Sequence, residues 1–231
     1  MTTGRAGAFF DLDGTLTDSD IVRDQLAFLR ARRSGPELVG RLLGQLVRLP
    51  WVLALDRLDR TATTSHVYRR YAGVGRDELR DWAETHQRAT WSDKLLPGAL
   101  DRLGDHARRG DRLVLITGSP ELVVAPLVDL LVTALPASTD IRLEATRLEV
   151  DGDRHTGRIV ERSLVGEAKA KRVKLVADEE DLDLARSSAY GDSISDRPLL
   201  ESVGHPVAVR PDRPLRRLAQ HRGWPVLETL A

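Results

Sequence analysis

The chain has 231 residues, no cysteine, and equal numbers of basic and acidic residues, 35 of each. Without cysteine there are no disulfides, zinc–thiolate sites, iron–sulfur clusters or thiol nucleophiles, so catalysis must use oxygen, nitrogen or a hard metal. The neutral balance and the aromatic content of 4% argue against nucleic-acid binding, which uses positive charge and aromatic stacking.

The chain begins with a strand-like run and continues into a helical insertion. Ala8 to Phe10 is apolar and ends at Asp11, as in a buried parallel strand followed by a turn. Residues 18–94 contain no strand-like run and carry apolar residues at helical spacing. We therefore expect a helical domain over residues 18–94, inserted into a core formed by residues 1–17 and 95–231.

Strands and helices alternate in the rest of the chain. Further strand-like runs are Arg112 to Ile116, Ser188 to Tyr190 and Pro206 to Val209. Helical patterns cover Pro97 to Arg109, Pro120 to Leu131, Glu167 to Ala177 and Pro198 to Val203. An Asp-Gly turn within residues 146–160 predicts a small β-hairpin. The alternation predicts an α/β fold with a doubly wound parallel sheet, in which ligands lie at the carboxyl ends of the strands.

Two carboxylates, Asp11 and Asp13, follow the first strand. An aspartate can attack phosphorus and form an aspartyl-phosphate. Because a phosphate ester and a carboxylate are both anionic, the attack requires a cation, and Mg²⁺ suits an all-oxygen site. Asp13 can protonate the departing alkoxide and later deprotonate water. The same acidic turn is also compatible with an Asx turn or a helix cap.

Two further polar motifs follow later strands. Thr117 and Gly118 offer a hydroxyl and free backbone N–H groups at a helix N-terminus, which suits a phosphate or an ordinary N-cap. Asp192 and Asp196 suit one direct metal ligand and one carboxylate that supports it, or else a capped turn. Three of these signals end strands of one predicted sheet, so we expect them to share one crevice.

Lysine is rare and unevenly placed. The chain has 31 arginines and four lysines, and three of those lysines lie at positions 169, 171 and 174. A site that needs a compact ammonium resists replacement by arginine. Lys169 is therefore a candidate for neutralising charge on a phosphoryl group, and a solvent-facing helix residue is the alternative.

The order of these motifs resembles the haloacid dehalogenase-like (HAD) superfamily. The matching segments are Phe10 to Thr15, Ile116 to Ser119, Lys169, and Gly191 to Asp196. The segments Val165 to Lys169 and Tyr190 to Leu200 resemble its phosphoserine-phosphatase-like branch, subfamily IB. The resemblance implies a Rossmann-like core, an α-helical cap of the C1 type inserted after the first motif, and a Mg²⁺-dependent phosphatase.

The resemblance also implies a role for each matching residue. Asp11 would be the nucleophile and a metal ligand, Asp13 the general acid/base with its backbone carbonyl on the metal, Thr117, Gly118 and Lys169 the phosphoryl-binding groups, Asp192 a metal ligand, and Asp196 its support. Asp20 stands where phosphoserine phosphatases of this family carry a glutamate, and is the candidate for substrate contact from the cap. Because Asp20 is one methylene shorter than glutamate, the leaving alcohol stays open.

The expected partner is a small phosphomonoester, with no nucleic acid and no integral membrane segment. The N-terminus lacks the apolar region of a secretory signal, so a cytoplasmic protein is expected. A monomer and a homodimer both stay open. An apolar stretch from Leu38 to Leu58, with Trp51, leaves open contact with a lipid phosphate or a membrane surface. Candidates for holding a substrate carboxylate are Arg57, Arg60, Arg69, Arg70 and Arg76.

Three other functions remain as alternatives. A phosphotransferase or mutase differs only in passing the phosphoryl group to an alcohol instead of water. A phospho-accepting signalling module combines similar residues, but such receivers are shorter and lack the insertion. A ligand-binding protein would retain its ligand without releasing phosphate.

Overall fold

The computed structural model describes residues 4–19, 21–32, 64, 67–136 and 139–228. The strands in these ranges are β1 (Gly7–Phe10), β2 (Arg112–Pro120), β3 (Ile141–Thr146), β4 (Leu148–Asp151), β5 (Arg154–Ile159), β6 (Ser188–Gly191), β7 (His205–Val209) and β8 (Val226–Leu227). Six of them form a parallel sheet in the order β3-β2-β1-β6-β7-β8, and β4 pairs with β5 in an antiparallel hairpin. The predicted α/β class and hairpin are confirmed.

Helices cover both faces of the parallel sheet. The helices whose bounds are described are α1 (Ile21–Ala31), α2 (Arg76–Lys94), α3 (Pro97–Arg109), α4 (Glu121–Thr133), α5 (Glu167–Glu179), α6 (Arg197–Leu200) and α7 (Arg213–Arg222), and of these α1 and α2 lie within residues 18–94. Phe10 of β1 packs in one apolar layer with Leu103 of α3 and Leu127 of α4. The preceding residue, Phe9, packs in the other layer with Val173 of α5. Because both faces are covered, β1 is apolar at every position, as is typical of a central parallel strand.

The described part of residues 18–94 holds α1, α2 and a short helical turn at Arg69–Tyr71, and no strand. Phe28, Tyr71 and Leu79 form an apolar cluster there, and Val123 of α4 joins it. This cluster packs the insertion against the sheet-bearing part of the chain. In the described ranges, none of the helices combines the length and apolarity needed to cross a bilayer.

Among the strands and helices given above for the described residues, three have no counterpart among the elements expected from the sequence: β3, β8 and α7. In β3, apolar residues such as Ile141 and Leu143 alternate with the charged residues Arg142 and Glu144. The strand lies at the edge of the sheet, where Arg142 pairs with Glu144 at 2.7 Å. An edge strand of mixed character lacks the continuous apolar run by which the central strands were recognised.

The helix predicted over Pro198 to Val203 is shorter in the structure, because α6 ends at Leu200. The backbone N–H and the hydroxyl of Ser202 both donate to the carbonyl of Leu199, at 3.1 Å and 2.6 Å. A serine that bonds back to a nearby carbonyl competes with helical hydrogen bonding. The chain therefore turns here and enters β7.

Candidate active site

The carboxyl ends of neighbouring strands meet at one edge of the parallel sheet. β1 pairs in parallel with β2 on one side and with β6 on the other. At the ends of β1 and β6, the rings of Phe10 and Tyr190 stack with centroids 4.2 Å apart, which fixes the two strand ends relative to each other. Asp11 follows β1 and Asp192 follows β6, so the sheet brings them together across the chain.

Lys169 lies between two buried carboxylates. Its Nζ is 2.6 Å from Asp11 Oδ1 and 2.7 Å from Asp196 Oδ1, and no side chain of the three is more than 5% exposed. Burial acts to lower the pKa of the Lys169 ammonium, but the carboxylates of Asp11 and Asp196 outweigh it and hold the pKa above its usual range. Lys169 is therefore a buried cation, and the solvent-facing alternative does not apply.

Asp11 belongs to a cluster of like charges. The pKa of Asp11 is raised from 3.8 to about 7, because burial and the nearby carboxylate of Asp196 raise it more than Lys169 lowers it. Asp11, Asp192 and Asp196 each offer a carboxylate oxygen, and these oxygens lie within 4.8 Å of one another. Three hard oxygen donors with mutual repulsion are a suitable environment for Mg²⁺, so the residues present fit the expected metal.

The local backbone allows this close approach. Gly14 has a φ of 79°, and a Cβ at this position would lie 2.3 Å from Asp192 Oδ2. Any other residue would be strained in this conformation and would push Asp192 away from Asp11. Asp196 is held from the other side, because the N–H and hydroxyl of Ser193 donate to its Oδ2 at 3.3 Å and 2.9 Å. Both Asp196 oxygens thus have protein partners, Lys169 on Oδ1 and Ser193 on Oδ2, and the supporting role of Asp196 stays a prediction.

Asp13 is held by hydroxyl groups from the second strand end. Its Oδ2 accepts from Ser119 Oγ at 2.6 Å and from Thr117 Oγ1 at 3.1 Å, and its Oδ1 lies 3.4 Å from Ser19 Oγ. Burial raises the pKa of Asp13 from 3.8 to about 6, although the hydrogen bond from Ser119 lowers it. The structure thus brings Thr117 to the side chain of Asp13, and Asp13 is a carboxyl that can hold a proton close to neutral pH.

Several polar residues at the site were missed from the sequence. Ser119 and Ser193 lie within the matching segments but were given no role. Ser193 stands three residues before Asp196, a spacing typical of a capping box that could have identified it. Tyr68 is different, because its hydroxyl donates to the carbonyl of Gly118 from a distant part of the chain. No local pattern around Tyr68 predicts that contact.

Some predictions fall on residues outside the described ranges. These are Asp20, Arg57, Arg60 and the stretch from Leu38 to Leu58. Of the other cap arginines, Arg69 and Arg76 are exposed and Arg70 is half-buried. The choice of a residue for the substrate carboxylate therefore stays open.

Comparison with known proteins agrees with this arrangement of strand ends, lysine and carboxylates. The family model of the haloacid dehalogenase-like hydrolases matches residues 8–201, from the first strand to just beyond the second acidic pair. The chain belongs to the haloacid dehalogenase-like hydrolase family. The family resemblance and the enzyme class predicted from the sequence are confirmed.

Two curated relatives of this HAD hydrolase come from Mycobacterium tuberculosis. A protein named as a probable phosphatase is 31% identical over 225 residues, which cover 96% of this chain and 75% of the relative. A protein named as a phosphoserine phosphatase is 37% identical over 242 residues, covering 96% of this chain and 70% of the relative. A solved structure from Bordetella pertussis Tohama I, described as a protein with unknown function, has a TM-score of 0.81 at 29% identity, covering 99% of this chain and 100% of that one.

Proposed function

We propose that this HAD hydrolase cleaves a small phosphomonoester through an aspartyl-phosphate formed on Asp11. The observation that carries the proposal is the placement of a buried lysine against Asp11, at 2.6 Å, beside a second carboxyl, Asp13, held at the end of the neighbouring strand. This arrangement supports roles for Asp11 as nucleophile, Lys169 as cation and Asp13 as proton donor at one edge of the sheet. The relatives named as phosphatases support the same reaction.

The first step transfers the phosphoryl group to the protein. An Asp11 oxygen attacks phosphorus, the bond from phosphorus to the ester oxygen breaks, and that oxygen takes the proton of Asp13 as the alcohol leaves. The raised pKa of Asp13, about 6, suits this task because the carboxyl retains a proton at higher pH than an exposed aspartate does. Ser119 and Thr117 hold the carboxyl in place.

The second step releases phosphate. Asp13, now a carboxylate, takes a proton from water while the water oxygen bonds to phosphorus and the bond to Asp11 breaks. The products are inorganic phosphate and the original pair of aspartates. Lys169 stays within reach of Asp11 throughout and stabilises the charge that develops on the phosphoryl oxygens, together with the N–H of Gly118. The Thr117 hydroxyl joins them by turning its single proton from Asp13 to the phosphoryl group, while Ser119 keeps its hydrogen bond to Asp13.

Asp11, Asp192 and the backbone carbonyl of Asp13 would hold Mg²⁺, with Asp196 supporting them. When bound, the ion supplies the positive charge that two anions need in order to approach each other. The raised pKa of Asp11 supports this assignment, since a carboxyl disfavoured by burial and by its neighbours is stabilised by a nearby cation.

We assign the helical insertion, residues 18–94, to a cap over the core formed by residues 1–17 and 95–231. The described helices α1 and α2 and their shared apolar cluster support this division. A cap excludes water and selects the leaving group. We propose a phosphoserine-like or other small alcohol phosphate as substrate, because one relative with 37% identity is named as a phosphoserine phosphatase.

The first experiment measures phosphate release from a panel of phosphomonoesters, with Mg²⁺ or with EDTA. The panel contains phosphoserine, histidinol phosphate, sugar phosphates, nucleotides and lysophosphatidate. We expect release from a few compounds and only in the presence of the metal. If the folded protein with bound metal releases no phosphate from any of them, hydrolysis is wrong, and transfer to an alcohol acceptor becomes the reaction to test.

Replacing the nucleophile tests the mechanism. Asp11→Asn removes the attacking carboxylate with almost no change in volume, so turnover is expected to fall below detection while circular dichroism shows an intact fold. Asp178→Asn is the matched control, because Asp178 is an exposed aspartate of α5. Turnover close to wild type in Asp11→Asn would show that another group attacks phosphorus.

A further inference from the structure

Tyr68 places a buried hydroxyl at the junction of three segments of the core. The side chain is 1% exposed. Its hydroxyl donates to the carbonyl of Gly118, lies 2.9 Å from Ser163 Oγ, and is 3.5 Å from Thr146 Oγ1. Because one hydroxyl has a single proton, which it gives to Gly118, Ser163 acts as the donor in the second contact.

The partners of Tyr68 belong to the segments that carry the proposed phosphoryl-binding residues. Gly118 follows Thr117 directly. Ser163 begins the loop that leads to Lys169, and the N–H of Leu164 in that loop donates to Thr146 Oγ1 at 3.2 Å. Thr146 ends β3. The hydroxyl groups of Tyr68, Ser163 and Thr146 therefore connect three segments by hydrogen bonds: the end of β2, the end of β3 and the loop before α5.

The contact with Gly118 also leads to Asp13. A hydrogen bond to the Gly118 carbonyl orients the peptide group between Gly118 and Ser119. The N–H of Ser119 donates to Thr117 Oγ1 at 3.0 Å, and its hydroxyl donates to Asp13 Oδ2 at 2.6 Å. A rotation of that peptide would change both of these contacts at once.

Tyr68 is itself anchored by the hairpin. We name residues 67–75 the strap. In the strap, the N–H of Gly73 donates to the carbonyl of His155 at 2.8 Å, and the N–H of His155 donates to the carbonyl of Val74 at 2.9 Å. Arg154 Nη1 adds a contact to the carbonyl of Gly73 at 2.8 Å. These hydrogen bonds bind the strap along β5. The hairpin therefore fixes the position of Tyr68 without contacting Asp11, Asp13 or Lys169.

We propose that Tyr68 is a positioning residue of the phosphatase, which holds the Thr117 segment and the Lys169 loop at a fixed separation and keeps Ser119 on Asp13. The proposal rests on the proposed function, since it assigns no contact of Tyr68 with the substrate. It also links the insertion to the chemistry, because the strap belongs to residues 18–94 while Gly118, Ser163 and Thr146 lie in the core. Correct seating of the strap thus becomes a condition for full activity.

The test compares two substitutions that each remove one buried hydroxyl. Tyr68→Phe removes the three contacts and keeps the ring. Tyr71→Phe is the matched control, because Tyr71 lies in the same strap, is also 1% exposed, and packs against Phe28 in the apolar cluster of the insertion. For the best substrate of the wild-type enzyme, we expect Tyr68→Phe to lower kcat about tenfold or more while KM changes by less than about threefold. Tyr71→Phe is expected to retain wild-type kcat.

Amide hydrogen exchange gives a second readout that does not depend on activity. In Tyr68→Phe, exchange is expected to accelerate in peptides that cover residues 114–120 and 161–168, and to stay unchanged in α3. Wild-type kcat in Tyr68→Phe, or exchange that accelerates equally along the whole chain, would overturn the positioning role. If the wild-type protein cleaves no phosphomonoester, the proposed function fails, and the exchange measurement alone decides whether Tyr68 organises the two segments.

Discussion

At the scale of single residues, Lys169 is the positive charge that balances the buried carboxylates of Asp11 and Asp196. It contacts Asp11 and Asp196 and is 4% exposed, so water contributes little to screening these three charges. Removing one member of a buried charge group leaves the others without compensation. We therefore expect a change at Lys169 to affect both the stability of the fold and the proposed reaction.

Lys169→Ala is expected to lower kcat by about a hundredfold or more, because the developing charge on the phosphoryl group loses its nearest cation. The free energy of unfolding is expected to fall by about 3 kcal/mol, since two buried carboxylates then face each other without a counter-charge. Steady-state kinetics and urea unfolding measure the two effects. Lys171→Ala is the control, because Lys171 is exposed two residues further along α5. A kcat for Lys169→Ala within a few-fold of the Lys171→Ala value would contradict the assigned role.

The lysine distribution shows what residue patterns can reveal about this site. Three of the four lysines lie together, and the structure buries Lys169 while Lys171 and Lys174 are exposed. The sequence therefore singled out the correct helix, and the order of motifs within the family picked out the buried lysine. Ser119 and Tyr68 were not predicted, because their importance depends on long-range contacts with Asp13 and Gly118 that only the folded chain brings about.

At the scale of elements, the hairpin β4–β5 fixes the strap beside the core. Gly157 of β5 has a φ of 79°, and a Cβ there would lie 2.9 Å from Ala72 Cβ and 3.0 Å from the carbonyl oxygen of Arg69. Gly152, in the hairpin turn, has a φ of 61° and no heavy atom within 4 Å of its hypothetical Cβ. The two glycines thus share a left-handed backbone but differ in their contact with the strap.

Gly157→Ala is expected to reduce kcat, because the new methyl group displaces the strap and with it Tyr68. The cost in unfolding free energy is expected to exceed that of Gly152→Ala, which introduces only left-handed strain of about 1 to 2 kcal/mol. Thermal unfolding and kinetics of the two variants measure the difference. Equal kcat values for Gly157→Ala and Gly152→Ala would show that seating of the strap does not influence the active site.

The elements were predictable to different degrees for a physical reason. β1 is buried on both faces, and its sequence is therefore a continuous apolar run. This pattern predicted the strand and drew attention to Asp11, which follows it. The register of these strands then brings the motif residues to one edge, as expected for parallel strands. β3 was not found because its exposed edge accommodates charged residues, and the two residues of β8 are too few to form a pattern.

At the scale of the whole molecule, we expect the cluster of Asp11, Asp192 and Asp196 to make the stability of the fold depend on pH and on the proposed metal. Burial is the largest of the effects that raise the pKa of Asp11 to about 7 and that of Asp13 to about 6, both from an ordinary value of 3.8. At a pH between the ordinary pKa and the raised pKa of these two carboxyl groups, the folded chain binds more protons than the unfolded chain. The contribution of these two groups to the free energy of unfolding is therefore largest at low pH and is lost as pH rises through the window from about 4 to about 7.

Mg²⁺ should reverse this trend, because it binds carboxylates only in their ionised form and so competes with protons. At a metal concentration about a hundredfold above Kd, the stabilisation is about 2.7 kcal/mol, which raises Tm by about 5 °C or more for a chain of this size. We expect that increase at about pH 8 and a much smaller one at about pH 5, as measured by thermal unfolding with Mg²⁺ or EDTA. Asp192→Asn should lose the increase at both pH values, whereas Asp178→Asn should retain it. If Mg²⁺ raises the Tm of Asp192→Asn as much as it raises the Tm of the wild type, the metal does not bind at the acidic cluster.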